Sequence, residues 1–367
     1  MNTKKPIELL TIEGFKSIKK LDKLKLKELN VLIGANGVGK TNFISYFRML
    51  GELVENRLQS WTTTQGSVDR ILTFGIKETL NLTSFVEFGR NGYKFIAEPT
   101  LAGEFVFTSE QLFFLGDSGP KWQSLGSGHK ESNLKNGADN YSVANYCRNS
   151  IASWKVYHFH DTSDTAGVKR LGSLHDSAYL RPDASNLAAY LYKLKINEPN
   201  SYLQIRRVVQ LAIPFFDDFV LEPQKLSSEE EQLRLLWRQK GSDYPFWPSQ
   251  LSDGSLRFIC LATALLQPDP PSTIIIDEPE LGLHPFAVTL LASLLRSASK
   301  RTQVIVSTQS VPLVNEFSID DLIVVEREQG VSVFKRYDQL EFKEWLEEYS
   351  VGELWEKNII GGRPTPC

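Results

Sequence analysis

Cysteine is scarce and scattered. Cys147, Cys260 and Cys367 are the three present, far apart and without a C-x-x-C pair. That spacing argues against a disulfide framework or a zinc finger and fits a reducing compartment. Long apolar runs are missing as well: no stretch approaches the ~18 residues of a membrane span, and the opening MNTKKPIELLTIEGF has no apolar signal core. These absences give the expectation of a cytoplasmic protein with no membrane partner. An excess of positive charge is also lacking. Lys and Arg number 41 against 44 Asp and Glu, a net charge of −3, so the chain is not coated for nucleic acid, although a local basic patch is allowed. There is no internal repeat and no low-complexity tract.

The composition leaves ample material for a core. Of 367 residues, 41% are hydrophobic and 23% charged, which predicts two lobes or one domain with a sizeable insertion. IELLTIEGF, LDKLKLK and LNVLIG read as strands, with Lys23, Lys25 and Lys27 alternating with Leu24 and Leu26. A helix is expected from Thr41 to about Leu58. Next come four β-rich segments, LNLTSFVEFG, GYKFIAEP, GEFVFTS and EQLFFLG, punctuated by Gly, Asn and Pro. From about Lys121 to Asn149 the polar, glycine-rich text predicts an irregular surface segment. WKVYHFH reads as a strand, and 184–213 as helices broken by NEPN. In the last third, STIIID and TQVIVS are continuous apolar runs, as expected of parallel strands covered on both faces. Between them Ala287, Leu290, Leu291, Leu294 and Leu295 form a helical stripe, with Pro285 suited to the first helical position. The pattern is α/β, with a parallel sheet assembled from both ends of the chain.

Two stretches carry phosphate chemistry, and a third carries acids. GANGVGKT, from Gly34 to Thr41, matches G-x-x-x-x-G-K-[ST] between a strand and a helix, which is the context that gives the motif meaning. Its glycines let backbone N–H groups face phosphate oxygens. Lys40 is expected to neutralise the β- and γ-phosphates, and the Thr41 hydroxyl to ligate Mg²⁺. The candidate nucleotide-binding residues here are Asn36, Gly37, Gly39, Lys40, Thr41 and Asn42. IIIDEPE ends a buried strand with Asp277, expected to hold Mg²⁺ through water, and Glu278, expected to orient and deprotonate the attacking water. LSDGSLRF, residues 251–258, is a tight polar turn running into an apolar helix, and such a helix start suits an anion.

In this order, with a long middle between P-loop and acidic strand, the motifs resemble the ABC-type ATPases, and within them the SMC/RecF/OLD lineage. IEGFKSI is similar to that lineage's opening strand, LSDGSLRF stands where its signature falls, and DEPELGLHP resembles its extended acidic motif. GELWEKNIIGGRP resembles the tail of a bacterial subfamily of predicted ATPases, many from phage-defence operons. The resemblance implies ATP and Mg²⁺ as cofactors and a head-to-tail homodimer. In it, Ser252 and Gly254 of one subunit cap the γ-phosphate held by the other's P-loop. Asp253 replaces the family's first signature glycine, and we read it as a helix cap pointing away from the phosphate. In VIVSTQS, Gln309 stands in place of the family's switch histidine. Glutamine can hydrogen-bond the γ-phosphate or the lytic water but cannot become cationic, so slow hydrolysis is expected. Lys16, in GFKSI, either approaches the nucleotide, as the matching basic residue does in relatives, or is a solvated strand-end lysine. For the family's Q-loop glutamine, Gln65 and Gln111 are both candidates.

Other constellations in the sequence compete with this one. His158, His160, Asp161 and Asp164 in HFHDTSD have metal-ligand spacing, but the remaining histidines, His129, His175 and His284, stand in no comparable motif. The fused nuclease of OLD proteins needs an Asp-x-Asp element, which does not occur, so an effector such as a nuclease or toxin is expected on a separate chain. Lys19, Lys20, Lys23, Lys25 and Lys27, with Arg206, Arg207, Lys300 and Arg301, form either a nucleic-acid track or a solvated face. The expected architecture is an α/β P-loop NTPase: an ABC-type ATPase head with a β-rich lobe and a short helical lid insertion. Its expected parts are 1–120, an N-terminal lobe with the P-loop; 121–245, the insertion; 246–340, a C-terminal lobe with signature and acidic strand; and 341–367, a helical tail. The expected function is an ATP-switched dimer that regulates a partner effector in antiphage defence. The alternatives are a RecF-like DNA-repair ATPase acting on DNA directly, and a histidine–metal hydrolase.

Overall fold

A computed structural model of the chain describes residues 6–137, 141–225 and 230–363. In chain order its main elements are β1 (Leu9–Phe15), β2 (Ile18–Lys25), β3 (Leu29–Ile33), α1 (Lys40–Val54), β4 (Leu82–Phe88), β5 (Asn91–Pro99), β6 (Phe105–Gly116), β7 (Gly119–Gly126), α2 (Ser142–Ala152) and β8 (Lys155–Tyr157). They continue with α3 (Leu187–Asn197), α4 (Pro199–Ala212), β9 (Phe216–Val220), β10 (Leu236–Gln239), β11 (Pro245–Phe246), α5 (Asp253–Leu266) and β12 (Thr273–Asp277). The last are α6 (Pro285–Ser299), β13 (Gln303–Thr308), β14 (Leu322–Glu328), β15 (Val331–Lys335) and α7 (Val351–Glu356). The chain divides into two compact units. One comprises Met1–Val156, Pro271–Ile275 and Thr302–Cys367; the other comprises Tyr157–Pro270 and Ile276–Arg301.

The first unit holds one six-stranded sheet and all of a second but the last residues of β8 and β12. One is antiparallel, in the order β2-β1-β4-β5-β6-β7. The other has the order β15-β14-β3-β13-β12-β8. Within it β3, from the start of the chain, runs parallel to both β13 and β14 from its end. All five residues of β3 and all six of β13 are buried: the apolar Val31–Ile33 and Val304–Val306 fill both faces, and the buried amides are hydrogen-bonded, Asn30 to the Lys27 and Val304 carbonyls and Gln303 to those of Ile7 and Lys27. Helix α1 packs against both sheets. Phe43 lies 5.3 Å from Phe334 of β15, Tyr46 lies 5.7 Å from Phe15 of β1, and the Tyr46 hydroxyl hydrogen-bonds Ser84 of β4. Each large ring buried in this way contributes about 1.5–3 kcal/mol, so α1 is a central strut of the unit that carries the P-loop.

The second unit is a helical layer with a small antiparallel sheet, β9-β10-β11. Trp237 of β10 stacks on Phe246 at 4.8 Å and on Phe216 at 6.2 Å. Helix α5 packs against α4 and α6 and is buried at every position from Leu256 to Leu266. Its C-terminal carbonyls, Leu265 O and Gln267 O, accept from the Arg301 guanidinium at 2.7 and 3.0 Å. Pro285 sits at the first position of α6, as its φ predisposes.

Three sequence expectations are corrected. The segment from Lys121 to Asn149 is not irregular throughout. It begins in β7, a polar edge strand, and ends in α2, whose Ala144, Cys147 and Ile151 form a buried stripe that the surrounding Asn, Ser and Arg obscure; residues 138–140 lie outside the described residues. The strand in WKVYHFH stops at Tyr157. The helix after the glycine loop ends at Val54, and a separate short helix occupies Leu58–Thr64.

Candidate functional site

In the first unit, the loop from Gly34 to Gly39 joins the end of β3 to the start of α1. Gly39 adopts φ 115 at the helix N-cap, and a Cβ there would collide with Ser332 Oγ and stand 2.6 Å from Ser17 Oγ. Only glycine fits that position. Ser332, on β15, places its hydroxyl 2.5 Å from the Val38 carbonyl and 2.7 Å from Ser17 Oγ, to which Asn42 Nδ2 also donates at 2.7 Å. This hydroxyl cluster braces the loop from behind. Asn36 and Gly37 are exposed at its crest, and Thr41 is exposed at the first turn of α1. Lys40 is buried, and its Nζ donates to the Gly34 and Ala35 carbonyls at 2.7 and 2.9 Å. The ammonium is thereby held at the centre of the loop.

Lys16 and Gln309 belong to the same unit. Lys16 has a left-handed backbone (φ 49), and its Nζ donates to Ser45 Oγ at 2.8 Å and to Gln65 Oε1 at 3.2 Å. The ammonium sits 5.9 Å from the Trp61 ring centroid. Burial, and after it the charge of Arg48, lower the Lys16 pKa. The solvated reading of Lys16 is thus replaced by a partly buried lysine lying one turn along α1 from Thr41. Of the two candidate glutamines, Gln65 meets Lys16, whereas Gln111 lies on β6 opposite Lys94 and Ser124. Gln309 directly follows Thr308, which is in register with Ile33 just before the P-loop, so Gln309 stands at the loop's end of the sheet. A cavity of about 580 Å³ adjoins Lys16, Ser17 and Asn42 and is lined further by Arg70, Phe74 and Arg327. These last three escaped sequence reading because Arg70 comes from a four-residue helix, Phe74 from a turn and Arg327 from near the end of β14, none of them long enough to show a period.

The other candidates lie in the second unit. Asp277 closes β12, and Glu278 follows with φ 42. The turn continues through Leu281 N–H donating to Glu278 O and Leu283 N–H to Glu280 O. The signature turn is locked onto this acidic turn. A Cβ on Gly254 would collide with the Gly282 carbonyl oxygen, and Arg257 Nη1 donates to Leu281 O. Arg257 is buried, its Nε also donating to Phe159 O at 3.0 Å, and burial lowers its pKa. Neither contact was foreseen, since nothing in the text of LSDGSLRF pairs it with LGLH. The cap assignment is also corrected. Ser252, not Asp253, caps α5, accepting from Ser255 N–H at 3.1 Å, and Asp253 is the first helical residue. A serine oxygen reaches that N–H from the extended residue just before the helix, which Asp253 cannot do from within it. Ser252 and Asp253 are both exposed.

The histidine cluster does not form a centre. Among the described residues there is no group of three or more His, Cys, Asp or Glu able to hold a metal. Asp161 instead accepts from Ser163, and Asp164 pairs with Lys169 at 3.7 Å. Of the basic residues of the candidate track, Arg206 is engaged by Asp217 and Arg301 by main-chain carbonyls at the end of α5. No helix among the described residues is long and apolar enough to cross a membrane.

A glycine loop with a buried lysine, leading from a parallel strand into a helix and flanked by strands from the far end of the chain, is the arrangement of a P-loop NTPase fold. The comparisons agree. The chain belongs to the family described as "AAA domain, putative AbiEii toxin, Type IV TA system", whose model matches residues 29–315. No curated protein sequence matches the chain. Among solved structures, the SMC head bound to the C-winged helix domain of ScpA matches with a TM-score of 0.56 at 16% identity, covering 92% of this chain and 99% of that one. The Smc head domain with an extended coiled coil from Pyrococcus furiosus, bound to the C-terminal domain of ScpA, matches with a TM-score of 0.53 at 16% identity, covering 93% and 98%.

Proposed function

We propose that this ATPase head binds ATP with Mg²⁺ at the P-loop, pairs head to tail with a second copy around the nucleotide, and hydrolyses it slowly to gate a separate effector protein in antiphage defence. The observation that carries the reading is the start of α5. The helix is buried from Leu256 onward, yet its first turn, with Ser252 and Asp253, is open to solvent. The leading N–H groups of such a helix have no intrahelical acceptor and favour an anion. The residues present also fit the nucleotide and its metal. Within the first unit the P-loop crest offers exposed backbone, Lys40 a fixed cation, and Thr41 a hydroxyl, a hard oxygen donor of the kind Mg²⁺ prefers.

In this reading Thr41 and Asp277 would hold Mg²⁺, which supplies charge neutralisation at the β- and γ-phosphates. Lys40 adds a second neutralising charge, Lys16 and the adjoining cavity receive the remainder of the nucleotide, and Glu278 takes the proton of the attacking water. Gln309 orients that water or the γ-phosphate by hydrogen bonding alone. Substituting Gln309→His is therefore expected to raise ATP turnover several-fold in a steady-state phosphate-release assay; a rate below the parent's would count against this role. The family description, which refers to a toxin–antitoxin system, and the ScpA-bound SMC heads both support an output through a partner. Direct action on DNA is the second reading, resting on the exposed lysines of β2. DNA binding that strengthens with ATP and weakens steeply with salt would favour it.

A further inference from the structure

Most arginines of the second unit are consumed internally: Arg181 by Asp176, Arg206 and Arg238 by Asp217, Arg257 and Arg301 by main-chain carbonyls. Arg170 and Arg234 are different. Both line a cavity of about 440 Å³, and among the described residues neither guanidinium makes a hydrogen bond or a close ion pair, Arg234 Nε being buried without a partner. Arg234 sits over the Trp247 ring, 4.3 Å from its centroid. That stacking fixes a planar fork of donors without using one of them. Lys169 forms another wall. Its side chain is only 8% exposed, and Nζ donates to Thr162 O at 2.6 Å.

The carboxylates nearby do not cancel this charge. Asp164 pairs with Lys169 at 3.7 Å. Asp161, which feels the charges of Arg170 and Lys169, is folded into its own turn by the Ser163 N–H and hydroxyl. What remains positive is the pair of guanidiniums, beside an indole that is 48% exposed. A guanidinium fork matches a phosphate in bidentate fashion, and an exposed indole takes a planar ring. The volume falls within the range of about 300–1,000 Å³ usual for small-molecule sites.

We propose that this cavity is a second site, separate from the P-loop, for a nucleoside monophosphate group: the phosphate on Arg170 and Arg234, the base against Trp247. The group comes either as a free nucleotide or as the 5′ end of a strand. Ser249 lines the same cavity and leads directly into the signature turn at Ser252, so an occupant bears on that turn. This coupling rests on the function proposed above; the binding site does not.

The test is a titration of the full chain with AMP, which lacks the β- and γ-phosphates, followed by tryptophan fluorescence. Saturable quenching is expected, absent in Trp247→Phe, retained in Lys40→Ala, and weakened about tenfold or more in Arg170→Ala and with adenosine in place of AMP. Arg170 is exposed, so its substitution leaves folding intact. Displacement of AMP by a 5′-phosphorylated trinucleotide at lower concentration would identify a strand end as the source, and lack of displacement a free nucleotide. Affinity that is lost with Lys40, or is indifferent to Arg170, or no saturable binding at millimolar AMP, overturns the site. Because the P-loop variant is included, such a failure is distinguishable from failure of the ATP-dependent dimer.

Discussion

Replacing Gly254 with alanine is expected to break the join between the signature helix and the acidic turn, lowering stability and removing ATP turnover together. The added Cβ collides with the Gly282 carbonyl, a main-chain atom with no rotamer by which to retreat. Relief requires the start of α5 to move away, against Arg257, which ties the helix to Leu281 and Phe159. Overpacking of this kind costs about 1–3 kcal/mol. A lower urea midpoint at unchanged slope would show it. ATP binding measured separately should persist, because the P-loop residues belong to the other unit. Parental stability and turnover in Gly254→Ala would show that the contact yields without consequence. The same contact changes the meaning of the glycine. It is required by packing whether or not a phosphate ever approaches it.

The second large effect is expected at Lys40. Its ammonium is buried and satisfied by the Gly34 and Ala35 carbonyls, so it is in place before any ligand arrives. Pre-positioned charge of this kind is what phosphoryl transfer depends on, and deleting one such donor costs on the order of 10²–10³ in rate. Lys40→Met keeps much of the side-chain volume and removes the charge. Turnover in that variant should fall by about that factor or more, with weakened ATP binding by equilibrium dialysis and little change in thermal midpoint. Turnover near the parent's would remove Lys40 from the chemistry.

The sequence was legible where local pattern and tertiary role coincide. The P-loop could be read because its glycines, lysine and flanking strand and helix are contiguous. The strands TIIID and QVIVST could be read because burial on both faces leaves their centres, Ile274–Ile276 and Val304–Val306, without a polar interruption. Reading failed where the determining partner is remote. The polar edge strand β7 is specified by its pairing with β6, not by its own text. Helix α2 was hidden because only its inner stripe is apolar. The helix cap at Ser252 depended on a one-residue difference in where the helix begins, which propensity does not resolve. Nothing in LSDGSLRF singles out Arg257, yet it is the pin between signature and acidic turn; its role exists only through carbonyls at Phe159 and Leu281.

The central claim is that two copies of the chain close around ATP. It is tested most directly by light-scattering mass of the Glu278→Gln variant with Mg²⁺, with and without ATP. The carboxamide keeps the shape of the acidic turn but cannot take up the water's proton, so bound ATP should persist and hold the pair together. A shift from one chain mass to two on adding ATP, abolished by a further Ser252→Arg at the exposed start of α5, is the predicted result. A mass of one chain at saturating ATP, in a variant shown to bind the nucleotide, would contradict the account.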